Sequence, residues 1–115
     1  MCGIFGYIGS REVQPILLEG LKRLEYRGYE GAGMATIHNG ALGIRKVAGK
    51  VAELEQLLER EPLMGTIGIA HNRWPTHGKA TPANTHPHVS MNGKIAIVHN
   101  GVFRNYAFWR EQLIK

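Results

Sequence analysis

The stretch MCGIFGYIG, residues 1–9, sets a short apolar run against a glycine stop and places the chain's single cysteine directly behind Met1. Gly3 to Ile8 reads as a buried strand ended by Gly9-Ser10. Two readings of Cys2 stand at this point. A free cysteine behaves as a small core residue, which would make the thiol mere packing. Alternatively, removal of Met1 in front of so small a residue leaves a cysteine with a free α-amine. Such an amine has an ordinary pKa of about 7.7–8.0, so part of it is unprotonated at neutral pH and can accept the thiol proton. Cys2 would then carry both a nucleophile and its base.

Working outward, Ser10 reads as a helix cap, with Pro15 in the first turns and Val13, Ile16, Leu17, Leu21 and Leu24 at helical spacing. This predicts a helix to about Tyr26. MATIH and ALGIRKV flank Asn39-Gly40, the pattern of a two-residue β-hairpin. A second helix is predicted from about Lys50 to Glu61, with Val51, Leu54, Leu57 and Leu58 as its apolar stripe and Pro62 as its stop. Strands are predicted over Gly65 to Ala70 and Lys94 to Val98. Between them, residues 71–93 are too rich in Pro, Gly, Asn and His for regular structure. A loop of that length in a small domain is usually functional or disordered, and Trp74 and four histidines weigh against disorder. A last helix should begin near Arg104, with Tyr106, Trp109 and Leu113 along one side. The expected fold class is α+β with antiparallel strands.

A length of 115 residues bounds the chain to one small domain. One cysteine builds no disulfide framework and no CxxC knuckle. Neither a signal peptide nor an apolar run long enough for a membrane span is present, so the expected location is cytoplasmic, with no membrane partner. The net charge of +5 is unevenly placed: no acidic residue lies between Pro62 and Arg110, a stretch holding Arg73, Lys79, Lys94, Arg104 and Arg110. These cations are widely spaced, without the clustered basic face of a nucleic-acid binder. The reading is therefore no nucleic acid and a small anionic ligand.

A cysteine attacking a carbonyl needs donors aimed at the developing oxyanion. His99-Asn100-Gly101, at the end of a predicted strand, offers the Asn100 amide and the Gly101 N–H, although Asn-Gly at a strand end also reads as a plain turn. Arg73, beside Trp74, Thr76 and His77, suits a carboxylate because guanidinium binds both oxygens at once. A solvent-exposed loop arginine is its other reading. His71, His77, His86, His88 and His99 fall within one third of the chain. They raise a metal-binding module as an alternative, but neither a carboxylate nor a thiol lies near them in sequence, so no metal is expected.

MCGIFGYIG, LLEGLKRLEYRGYEGAG, NRWPTHG, NTHPH and VHNGVFRNY resemble, in order and spacing, the successive motifs of class II glutamine amidotransferases, which are N-terminal-nucleophile hydrolases. His86-Pro87-His88 and Trp74 make the chain most similar to the glucosamine-6-phosphate synthase branch. The resemblance implies a four-layer αββα sandwich with antiparallel sheets, of which residues 1–115 would be the N-terminal half, with the sugar-phosphate isomerase domain absent. It also implies glutamine hydrolysis without a cofactor. Cys2 would form the thioester, and its α-amine would be the base. Asn100 and Gly101 would make the oxyanion hole, and Arg73, Thr76 and His77 would hold the glutamine carboxylate. Trp74 would cover the site, and Arg27 and Gly28 would organise the nucleophile. The chain departs from the family pattern at Glu30, Gly31, Asn72 and Pro75. The family's aspartate for the glutamine ammonium lies past Lys115, and this chain contains no aspartate. The expected partners are glutamine and a complementing chain, or a second copy, joined through unpaired sheet edges. A folded, catalytically inactive fragment that associates with other chains is the remaining alternative.

Overall fold

The computed structural model describes residues 2–27, 30–74, 81–101 and 104–114. The elements run β1 (Gly3–Ile8), α1 (Val13–Arg23), a 3₁₀ turn (Glu25–Arg27), β2 (Ala32–His38), β3 (Ala41–Val47), α2 (Val51–Arg60), β4 (Ile67–Asn72), a 3₁₀ turn (Pro82–Asn84), β5 (His88–Val89), β6 (Ala96–Ile97) and α3 (Tyr106–Ile114). Strands β1, β4, β2 and β3 lie in that order in one antiparallel sheet, and β5 pairs with β6 in a second. The α+β class with antiparallel sheets is as the sequence predicts.

Side-chain alternation gives the larger sheet two faces. One carries Phe5, Tyr7, Ala32, Met34, Val47 and Ala70, and packs on Val13, Leu17 and Leu21 of α1 and on Val51, Leu54 and Leu58 of α2. Gly20 lets α1 approach β1, since a Cβ there would sit 2.5 Å from the Phe5 ring. The opposite face carries Ile4, Ile8, Ile37 and Ile67, all exposed. It is covered at one end by the segment entering β5: the Gly33 Cα lies against His86 O and Pro87, and Lys46 Nζ donates to Pro87 O at 3.2 Å.

Local chemistry accounts for most of the elements. Asn39 (φ 52°) and Gly40 (φ 76°) form the tight left-handed turn that matches strand twist. The first helix starts at Val13 rather than at a Ser10 cap. Its first N–H is met by Gly65 O at 2.9 Å, and Glu12 at the N-cap makes no side-chain bond. A tertiary carbonyl thus replaces the local cap. For α2, Glu25 Oε2 accepts the Val51 N–H at 3.1 Å, placing a carboxylate at the positive end of the helix.

Two predicted bounds and one predicted packing face are corrected. The strand expected over Gly65 to Ala70 runs instead from Ile67 to Asn72. Gly65 sits at φ 118° as the α1 cap, and the polar His71 and Asn72 stay in the ladder because β4 is central, paired on both sides. Of Lys94 to Val98, only Ala96–Ile97 is strand. Helix α3 forms, but its predicted stripe of Tyr106, Trp109 and Leu113 is exposed and packs no core. The segment expected to be irregular also contributes the end of β4, a 3₁₀ turn and β5.

Candidate active site

The register of β1 against β4 creates the site. Gly3 is opposite Asn72, so Cys2, one residue before the strand, meets the residues that follow β4. The Trp74 N–H donates to Cys2 Sγ at 3.4 Å, and the thiol lies 3.8 Å from Trp74 O. From 98 positions along the chain, Asn100 Nδ2 donates to Cys2 O at 3.0 Å. Cys2 is half-buried and unpaired by any disulfide.

Arg73 is corrected from an exposed loop arginine to a buried residue. It extends the ladder past β4: its N–H donates to Gly31 O at 2.7 Å and its O accepts from Glu30 N at 3.1 Å. The Glu30-Gly31 pair that departs from the family pattern therefore bonds through its main chain, which either sequence supplies. The room beside it is tight, since a Cβ on Gly31 would come 3.0 Å from Thr85 Oγ1 and 3.2 Å from Arg73 Cβ. Asn72, another departure, is fully buried and donates from Nδ2 to Leu24 O at 2.8 Å. It thereby ties the site end of β4 to the end of α1.

The His99-Asn100-Gly101 segment is held by two histidines. Asn100 Oδ1 lies 2.7 Å from His71 Nε2, and the His99 N–H donates to His86 Nδ1 at 3.3 Å. Gly101 has φ 149°, with the His99 ring 3.2 Å from where a Cβ would stand, so a side chain is disfavoured there. The His71 and His86 rings lie against each other at 4.4 Å between centroids, tilted by 34°, and His86 and His88 at 4.3 Å, tilted by 57°. Burial pushes the His86 pKa down to about 4, helped by its histidine neighbours and Arg73. Burial also lowers His71 and His88. No group of three side chains that could hold a metal ion forms among the described residues.

Of the sequence-predicted site residues, Cys2, Arg73, Trp74, Asn100 and Gly101 are thus brought to one place. Arg27 lies in the 3₁₀ turn after α1, and its side chain falls outside the described atoms. Met1, Gly28, Thr76 and His77 also lie outside the described residues. Sequence reasoning missed His71 and His86 as supports of Asn100, having weighed both as metal ligands and His86 also as a marker of the family branch. The available signal was a polar residue, His71, continuing an apolar strand next to Arg73.

No protein-family model matches the chain. It is 53% identical over its whole length to the glutamine–fructose-6-phosphate aminotransferase (isomerizing) of Caldanaerobacter subterraneus subsp. tengcongensis, covering 19% of that protein. It is 54% identical over 98% of its length to the protein of the same name from Bacteroides thetaiotaomicron, again covering 19% of it. The fold superposes on the glutamine phosphoribosylpyrophosphate amidotransferase of B. subtilis, solved with ADP and GMP, with a TM-score of 0.81. That match has 31% identity and covers 99% of this chain and 25% of the other. The chain belongs to the class II glutamine amidotransferases. It spans about a fifth of the curated relatives it matches. Among its described residues, no helix is long and apolar enough to cross a membrane.

Proposed function

We propose that residues 1–115 form part of a glutaminase domain that hydrolyses the side-chain amide of glutamine through a thioester on Cys2. The observation that carries this reading is the meeting of Trp74 and Asn100, residues 72 and 98 positions away, at Cys2, the first at its thiol and the second at its carbonyl. With Met1 removed, the Cys2 α-amine takes the thiol proton and Sγ bonds to the amide carbon, whose π pair moves onto oxygen. Asn100 Nδ2 and the Gly101 N–H serve that oxyanion; removing one such donor costs roughly 3–4 kcal/mol in other hydrolases. Collapse breaks the C–N bond, and the amine's proton leaves with ammonia. Water then attacks the thioester, releasing glutamate and returning the thiol. Arg73, with Thr76 and His77, binds the substrate carboxylate, and Trp74 covers the site. Arg27 and Gly28 organise the loop behind the nucleophile.

In the longer chain, the ammonia would pass to a sugar phosphate, converting fructose 6-phosphate to glucosamine 6-phosphate, in line with the name of the curated relatives. A second reading is favoured by the exposed Ile4, Ile8, Ile37 and Ile67 face, bordered by β1 and β3 as sheet edges. On that reading the segment is silent until a complementing chain, or a second copy, covers the face. Release of glutamate and ammonia from glutamine, compared between the protein and Cys2→Ala, tests the primary reading. Activity lost only in the variant supports it, and equal release from both would end the claim for the nucleophile. Activity that appears only with added complementing segment supports the second reading.

A further inference from the structure

We propose that His71 is a positioning residue for the oxyanion donor: its Nε2–H donates to Asn100 Oδ1 and so fixes which end of the Asn100 amide faces Cys2. The inference rests on the glutamine-hydrolysing reading of the site. An amide side chain has two orientations, one presenting oxygen and the other nitrogen to a given neighbour. Asn100 has two such neighbours, Cys2 O at 3.0 Å and His71 Nε2 at 2.7 Å.

The Cys2 carbonyl is an acceptor only, so the amide nitrogen must face it. The amide oxygen then faces His71 Nε2, which must carry the proton. The flipped amide would set two oxygens against each other at Cys2 and would need the other histidine tautomer. One of the two amide hydrogens is thus committed to Cys2 O, leaving the second for the site.

His71 is built to hold this state. Its ring is fully buried on central strand β4, and its Nδ1 has no hydrogen-bond partner among the described residues. Moving the proton to Nδ1 would leave it without an acceptor and give up the bond to Asn100, and adding a second proton there would bury an unpaired charge, which costs more than an unpaired neutral group. Protonation would place that charge beside His88 and Arg73, in agreement with the lowered pKa. The neighbouring His86 ring adds a second hold through the His99 N–H, one residue before Asn100. Neither histidine touches Cys2. Both act through the segment that does.

The test has two arms. In ¹⁵N-resolved spectra of the intact protein, His71 is expected as the neutral Nε2–H tautomer from pH 6 to 8; a protonated Nδ1 in that range would overturn the proposal. In the second arm, the alkylation rate of Cys2 by the glutamine-mimicking electrophile diazo-oxo-norleucine is divided by its rate with iodoacetamide, for the parent, His71→Met and His71→Gln. The ratio is expected to fall roughly tenfold or more in His71→Met, less than the roughly hundred- to thousandfold cost of deleting an oxyanion donor outright, because the Asn100 amide stays and only its orientation is freed. It should recover in His71→Gln, whose amide nitrogen replaces Nε2–H. A purely structural role would slow both electrophiles alike, and an unchanged ratio in His71→Met would refute the positioning claim. A parent protein with no preference for the glutamine mimic would refute the glutamine reading instead, while the tautomer arm still decides the hydrogen bond.

Discussion

Lowering the pH from 7.5 to 5 should destabilise this protein through its clustered histidines. The His86 pKa is pushed down to about 4 by burial first, and then by His71, His88, His99 and Arg73. Between that value and the unfolded value of about 6.5, the folded state binds fewer protons than the unfolded chain, so stability falls as pH drops. Titrating one site with these two pKa values removes about 2 kcal/mol between pH 7.5 and 5. Solvent screening of a half-buried ring brings the expectation to about 1 kcal/mol. His71 and His88 shift in the same direction and add to the loss. Urea unfolding at the two pH values measures the difference. His86→Asn keeps an acceptor for the His99 N–H but cannot titrate, so the pH difference should shrink in that variant. Equal unfolding free energies at pH 7.5 and 5 would refute the reasoning, as would an undiminished loss in His86→Asn.

Gly33→Ala places a methyl group into His86 O and 3.0 Å from Pro87 Cδ, so the segment supporting Asn100 must move. A loss of roughly 1–3 kcal/mol in thermal or urea unfolding is expected, with slower Cys2 alkylation by diazo-oxo-norleucine. Arg73→Lys keeps the charge and loses the two-oxygen fork, so the Michaelis constant for glutamine in the active, completed domain should rise roughly ten- to a hundredfold. An unchanged constant would remove Arg73 from the carboxylate site. Glu25→Gln weakens the cap on the Val51 N–H, and a loss of about 0.5–1 kcal/mol, diminished by added salt, is expected in urea unfolding.

Much of the site was legible in the sequence because its members lie in motifs. Cys2, Arg73, Trp74, Asn100 and Gly101, each singled out from a motif, lie near one another in the fold. The supports were not legible. His71, His86 and Asn72 look alike as polar residues in a loop-like stretch, and only their neighbours separate a positioning ring from a metal ligand or from a strand-to-helix tie. Asn72 bonds Leu24, and His71 bonds Asn100, each across a long stretch of chain.

Elements with local signals could be read from the residues alone. Gly3–Ile8, the Asn39-Gly40 hairpin and Val51–Arg60 lie where alternation, turn chemistry and helical spacing put them. These preferences act within a few residues, so they can be read without knowing what lies nearby. Tertiary structure decided the rest. β4 continues through His71 and Asn72 because strands on both sides take its backbone bonds, and α1 begins at Val13 because Gly65 supplies the acceptor. Helix α3 has the apolar residues for a packed face and buries none of them, since a stripe needs a partner surface and the sequence does not say where one stands. The thiol and the buried arginine meet because antiparallel register sets the start of β1 beside the end of β4, and the Asn100 amide joins them through its bonds to His71 and Cys2.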